Sequence, residues 1–423
     1  MALFGAGWAV TFDVGVRVYI AEVVAVACLV GLPWRDALHR YLMVRAVLSA
    51  FALWALAIAI ADLVNGTALF DFLRNFATPI LGGLSLLFVL TVLSRNPYAL
   101  LTFFAATVVA KGALGEPLYG DEFADMTLSM ASVAQDSNFF KVRIEPFLTP
   151  AILLFACMKS RKGLDTAAAI FLAAAIGYFL LDARSSGLVF FLSASAVFAI
   201  HHRIRPKLGS IVIASIGAAI IAYVGYIAYA KYSLTQNPYG HNAKQMARME
   251  NPYNPLELLI QGRSEWLVIG TAIAERPVIG WGSWAVDKDN RFTILRNERS
   301  GLDYGSIDRS KPLPYIPAHS VIGSAWLWSG LLGAIALVWL LRSLGVMGLR
   351  LVTVNSILVP AAVFLAFLAM WHLLFSPPQM VRLFFPVSLG ALIAITGSVR
   401  IGSHRNIRLT RREYLEIKGV DLK

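Results

Sequence analysis

The sequence predicts an all-α, polytopic integral membrane protein, and three observations carry that expectation. The 423 residues are 58% hydrophobic and only 15% charged, with a mean hydropathy of +0.66. A soluble domain is about half apolar and about a quarter charged. The apolar residues also fall in blocks about as long as a bilayer crossing. Finally, most of the net charge of +12 sits in short connections and in the tail after Val399. There it reads as a topology signal, not as a nucleic-acid surface.

Length and hydropathy place helices at 14–32, 43–64, 77–93, 98–115, 144–158, 165–182, 186–200, 208–230, 318–341, 354–375 and 381–399. That is about eleven spans, within a range of ten to twelve. Residues 1–12 are short and uncharged and give no cleavable signal. Cys28 and Cys157 each fall inside a predicted span, so no disulfide framework is expected, and neither has the neighbours of a metal site.

The connections set the expected orientation. "PWRDALHRYLMVR", "KSRKG", "HHRIRPK", the Arg342–Arg350 connection and the tail "RIGSHRNIRLTRREYLEIKGVDLK" are basic and are expected on the cytoplasmic side. The acidic segment 116–140 (Glu116, Asp121, Glu122, Asp125, Asp136) falls on the opposite side, with the N-terminus and the largest loop. In a bacterium that side is the periplasm. The expected organisation is an N-terminal bundle over 1–230, a large periplasmic loop over 231–317 between the eighth and ninth helices, C-terminal helices over 318–399 and a basic tail over 400–423.

Within the loop, "NPYNPLELLIQGRSEWLVIGTAIAERP" reads as Pro/Asn punctuation and then an amphipathic helix over 255–276, stopped by Pro277. "GWGSW" follows as a tight turn, and its Trp281 and Trp284 suit an interface or a sugar face. Residues 285–316 read as polar and irregular.

Ionisable side chains in or beside spans default to a functional reading. Asp62, Lys111, Arg184, His319, His372 and Arg382 come from distant parts of the chain, yet the expected topology puts them all in one leaflet. A transporter would place its key charges at the midplane, so chemistry at the outer interface is favoured. Lys111, Arg184, Arg263 and Arg382 make that region cationic, and arginine forks match phosphate oxygens. The plain alternative is that each cation snorkels or pairs with a lipid headgroup. His319 has two readings as well: a helix-start residue satisfying loop groups, or a proton acceptor. At helical spacing His319, Gly323, Trp326, Gly330 and Gly333 share one stripe. Close helix packing accounts for these glycines. The rival is a groove for a polyprenyl tail, which Gly330→Leu would probe.

Three stretches together resemble one family. "LLDARSSGLVFFLSA", "QGRSEWLVIGTAIAERPVIGWGSW" and "PAHSVIGSAWLWSGLLG" resemble, in order, the arginine-bearing helix start, the periplasmic-loop stretch and the post-loop histidine helix of the O-antigen ligase and polysaccharide polymerase superfamily. Two positions depart from its pattern: Ser320 stands where asparagine is usual, and Ala183 where serine is common. The resemblance implies a metal-independent, inverting glycosyltransferase of the multi-span GT-C type that needs no cofactor. Its donor would be a glycan on undecaprenyl diphosphate. Arg184 and Arg263 would bind the diphosphate, and His319 would act as general base or orient the acceptor hydroxyl. Lys111, Arg382 and Ser320 would be further substrate contacts, with Trp281 and Trp284 against sugar rings. The acceptor is a second lipid-linked repeat unit in a polymerase, or lipid A–core in a ligase; the Ser320 variant and the "GWGSW" turn lean towards polymerase. A chain-length regulator or a flippase are the expected protein partners. A transporter or lipid flippase is the rival class, and it predicts internal repeats and broken helices that the sequence does not show.

Overall fold

The fold is taken from a computed structural model, which describes residues 1–13, 17–114, 140, 144–181, 183–202, 223–232, 234–235, 246, 249, 251–254, 257, 264–299, 314–318, 320–378 and 380–407. The described chain is almost wholly helical: α1 (Ala2–Ala6), α2 (Ile20–Gly31), α3 (Trp34–Arg40), α4 (Leu42–Asn65), α5 (Leu69–Arg95), α6 (Ala99–Leu114), α7 (Glu145–Lys159), α8 (Leu164–Leu180), α9 (Arg184–His201), α10 (Ser264–Glu275), α11 (Arg291–Arg299), α12 (Val321–Arg350), α13 (Val359–Phe375), α14 (Met380–Leu383) and α15 (Phe385–Ile407). The one sheet among the described residues is a hairpin of β1 (Thr11–Asp13) and β2 (Arg17–Tyr19), antiparallel with Phe12 opposite Val18.

Among the described residues four helical stretches are long and apolar enough to cross a membrane: Leu42–Asn65, Leu69–Arg95, Arg184–His201 and Val321–Thr353, with shorter apolar helices around them. Large apolar side chains such as Leu63, Val109, Ile176, Val338 and Leu349 stand exposed on the outside of the bundle. A water-soluble bundle would bury such a belt, whereas hydrocarbon solvates it. The chain is therefore a membrane-embedded helical protein.

Several boundaries differ from the sequence expectation for physical reasons. The first span, expected at 14–32, is only Ile20–Gly31, because the residues before it pair as a hairpin and α1 folds back against α6. The carbonyl of Phe103 and the side chain of Thr107 come so close to Gly5 that a side chain there would collide with them. Glu22 caps α2 by accepting the Tyr19 N–H at 2.9 Å. Helix α5 starts eight residues earlier than hydropathy suggests, since the polar turn with Asp71, Arg74 and Asn75 continues the helix past its apolar block. Residues 34–40, expected as a loop, are helical. So are residues 291–299, in a stretch expected to be irregular: Asp287 caps them by accepting from Thr293 N–H at 2.7 Å. The eighth predicted span, 208–230, lies outside the described residues apart from its end, where 223–232 is helical.

The bundle has two chemically distinct ends. At one, Arg40 donates to the carbonyl of Ser94 at 3.3 Å and Ser160 to that of Ile357 at 3.1 Å. These contacts gather the connections before α4, after α5, after α7 and after α12. At the other end, Ser320 at the start of α12 reaches the carbonyl of Leu373 near the end of α13, at 3.5 Å. His372 stacks there on Phe384, and from Phe384 the ring contacts run back through Trp8 to Phe103, near the start of α6. A small second core of Val268, Ala272, Phe292, Ile316, Leu327 and Trp328 joins α10 and α11 to α12 at this same end.

Candidate functional site

The site begins with a break in α12. Ser329 (φ −120°, ψ 16°) and Gly330 (φ 64°, ψ −160°) leave helical geometry in the middle of the helix. In an unbroken helix the Leu331 N–H would donate to the carbonyl of Leu327. Here it donates to Val278 at 3.0 Å, and the freed Leu327 carbonyl accepts from Trp281 N–H at 2.8 Å. Gly282 N–H donates to Trp328 at 3.0 Å. The turn after α10 is thus stitched into the kink by backbone hydrogen bonds. Gly280 (φ 81°) and Gly282 (φ 83°) supply the left-handed turns this approach requires. Trp326 adds a side-chain clamp, its indole N–H donating to the carbonyl of Pro277 at 2.9 Å.

The glycine stripe is therefore covered by protein. A side chain at Gly323 would press on Ile269 of α10, and one at Gly330 would collide with the backbone of Val278 and Ile279. The groove reading is overturned, because the helical spacing that defines the stripe does not continue through Gly330 and the space beside it holds another segment of the chain.

A buried polar pin fixes the turn from the other side. Asp62, at the end of α4, accepts from Ser283 N–H at 2.6 Å, from Ser283 Oγ at 2.6 Å and from Thr67 Oγ1 at 2.8 Å. Asn75 of α5 donates to Ser283 Oγ at 2.7 Å. Arg276 donates to Asn65 Oδ1 at 3.0 Å. Asp62, Asn75 and Ser283 are buried and tolerated because each is paired, whereas the Arg276 contact is exposed.

What the turn presents is a set of indoles surrounded by guanidinium groups. Arg74 lies 3.7 Å from the ring centre of Trp284, and Arg276 lies 4.3 Å from that of Trp281. Arg291 approaches Trp281 at 5.8 Å. Trp284 also packs tilted against Trp328 at 5.0 Å and meets Tyr315 edge-on at 5.6 Å. Its backbone is left-handed (φ 54°), which is costly for a bulky residue and is held by these contacts. The indole N–H of Trp281 is bonded to the carbonyl of Ala272 at 2.8 Å; that of Trp284 has no partner among the described residues.

The remaining sequence candidates take separate places. Arg184 opens α9 and lies 5.8 Å from the ring of Tyr229; two residues on, Ser186 hydrogen-bonds Glu145. Lys111 is buried in the last turn of α6, the end of a helix that favours a cation. Arg382 is buried in a two-point ion pair with Glu22, Nε to Oε1 at 2.8 Å and Nη2 to Oε2 at 2.5 Å. Ser320 is buried and caps α12, accepting from Gly323 N–H at 3.1 Å. His372 pairs with Ser376 at 2.8 Å, and its Nε2 is buried without a partner among the described residues. Arg263 and His319 lie outside the described residues, one position before α10 and one before the Ser320 cap, respectively. The structure thus brings Trp281 and Trp284 to the kink of α12, gives Arg382 and Ser320 protein partners, and sets Arg184 at the start of α9 against Tyr229.

Sequence reasoning missed Glu22, Arg74, Asn75 and Ser283. Only Glu22 carried a clear signal, an acid inside an apolar block that calls for a partner. No protein-family model matches the chain, and no curated protein matches it significantly.

Proposed function

We propose that the protein is a membrane glycosyltransferase of the O-antigen ligase and polymerase type, acting as a polysaccharide polymerase. In this reading about eleven helices cross a bacterial inner membrane, residues 231–317 lie in the periplasm and the C-terminal tail in the cytoplasm. The observation that carries it is the turn stitched into the kink of α12. It sets Trp281, Trp284 and three arginines beside the helix whose cap follows His319 directly. Guanidinium groups suit phosphate, and here Arg74 and Arg276 are held over the Trp284 and Trp281 rings while Arg291 pairs with Glu275, so the indoles position cations and do not offer open faces to a sugar.

The chemistry needs no metal. The acceptor hydroxyl oxygen attacks the anomeric carbon of the donor and forms the new glycosidic bond with inversion. The bond from that carbon to the diphosphate oxygen breaks, and its electron pair leaves with undecaprenyl diphosphate. His319 takes the hydroxyl proton. Arg184 and Arg263 hold the diphosphate and stabilise its growing charge.

Purified protein supplied with undecaprenyl-diphosphate repeat units is expected to give laddered polymer without added lipid A–core. Product formed only when core is present makes the protein a ligase. His319→Ala and Arg263→Ala are each expected to abolish transfer while leaving the protein folded, and normal polymer from both overturns the mechanism. Arg184→Lys is expected to be poorly active, because a point charge does not replace a planar fork.

A further inference from the structure

We infer that Asp165, His201 and His202 form a binding site for a zinc-class divalent ion, clipping the start of α8 to the end of α9. His201 Nε2 lies 3.1 Å from Asp165 Oδ2, and His202 Nε2 lies 3.2 Å from Asp165 Oδ1. The ligand atoms of all three residues fall within 4.8 Å of one another. Zinc bonds of about 2.0–2.2 Å in tetrahedral geometry need ligand atoms about 3.3 Å apart. Each imidazole nitrogen is thus already close to that spacing from a carboxylate oxygen, and the remaining ligand pair, within 4.8 Å, closes to it by small side-chain rotations.

The arrangement is built, and not a chance meeting of exposed groups. Consecutive residues on a regular helix point about 100° apart. The His201 and His202 imidazoles nevertheless both reach Asp165, each to a different carboxylate oxygen. Phe198, one turn earlier, packs its ring 4.3 Å from that of His202 and holds it in place. The two imidazole rings lie 4.9 Å apart. One carboxylate neutralises only one imidazolium, so two charged rings at this distance would repel, whereas two neutral nitrogens and a carboxylate are a good donor set for a divalent ion. The carbonyl end of α9 adds favourable negative potential. All three residues are exposed, which leaves open coordination positions to water. Arg161 and Lys162 in the preceding turn are exposed as well, and their opposing field is screened within about 10 Å at ordinary ionic strength. The site lies about 26 Å along α9 from Arg184, at the other end of the bundle from the tryptophan turn, so it is independent of the proposed transfer chemistry. The 35 residues between Asp165 and His201 hide it from any motif search.

The test uses the full chain in detergent, purified through a tag free of histidine. Calorimetric titration with Zn²⁺ is expected to show one ion per chain, and Co²⁺ is expected to give a visible d–d absorption band. Asp165→Asn and the double variant His201→Gln/His202→Gln are each expected to weaken Zn²⁺ binding tenfold or more and to remove the cobalt band. Gel filtration and helical circular dichroism check their folding. His201→Gln alone, a single change at an exposed ring, serves as the variant if either of the others misfolds. No stoichiometric binding by the wild-type protein, binding unchanged in a folded variant, or equal affinity for Mg²⁺ overturns the inference.

Discussion

Asp62 is the acid that ties the loop segment to the bundle, and its two oxygens have distinct tasks. One accepts the Ser283 N–H and the Thr67 hydroxyl, and the other accepts the Ser283 hydroxyl. Hydrogen bonds to a charged group contribute about 1.5–3 kcal/mol each, and in a shared network they do not add. Asp62→Ala is therefore expected to destabilise the docked turn by at least about 3 kcal/mol. Limited proteolysis should show it as new cleavage within 276–299 before the bundle melts; unchanged protection there removes Asp62 from this role. Arg382 poses a different question, because its sequence reading was phosphate contact and its observed partner is Glu22. Removing one member of a buried pair costs about 3–5 kcal/mol, whereas replacing both with apolar residues is often neutral. Glu22→Gln is expected to lower stability by that amount, and the double variant Glu22→Leu/Arg382→Met to recover most of it. Transfer activity that returns with stability in the double variant assigns Arg382 to structure, and activity that stays lost assigns it to substrate.

At the scale of elements, the kink in α12 decides how the site is built. From its sequence, 318–341 reads as a single apolar helix, and Gly330 fits the helical spacing as well as Gly323 does. The break shows only when the partner strand of backbone, 278–282, is in place, and no local pattern announces a tertiary partner. The same limit applies to α5, whose polar first turns are helical by contact with the 281–284 turn and not by hydropathy. Gly330→Ala faces both a left-handed backbone and the carbonyl of Val278. Gly330 sits at φ 64°, ψ −160°, a region essentially reserved for glycine that costs a residue with a side chain about 1–3 kcal/mol, and the collision adds to it. The turn is expected to undock, with faster hydrogen exchange at the amides of Trp281, Gly282 and Leu331. Gly270→Ala is the control: it lies within α10 with open space around it, and alanine there is expected to be neutral or stabilising by up to about 1 kcal/mol. Equal exchange at those amides in both variants would mean that the kink does not hold the turn.

For the molecule as a whole, the helical membrane class was legible because hydrophobic blocks and loop charges are local, additive properties. The site was legible in part. Arginine, histidine and tryptophan positions stand out in an apolar chain, but which of them already have protein partners depends on packing between segments hundreds of residues apart, such as Glu22 with Arg382. Ser320 shows the consequence: read as a variant of a family asparagine, it is in the structure a helix cap, so it argues less for a polymerase than its sequence position suggests. The expected orientation follows from loop charge, and two exposed lysines from opposite ends of the bundle test it directly. Lys288 lies between the tryptophan turn and α11, and Lys162 lies between α7 and α8. With Cys28 and Cys157 replaced by serine, a membrane-impermeant maleimide added to cells whose outer membrane has been opened is expected to label Lys288→Cys. Lys162→Cys should react only after the inner membrane is breached. The reverse pattern would put the tryptophan turn and the Ser320 cap in the cytoplasm. A donor that has been flipped to the outer face would then never meet them, and the glycosyltransferase reading would fall with the orientation.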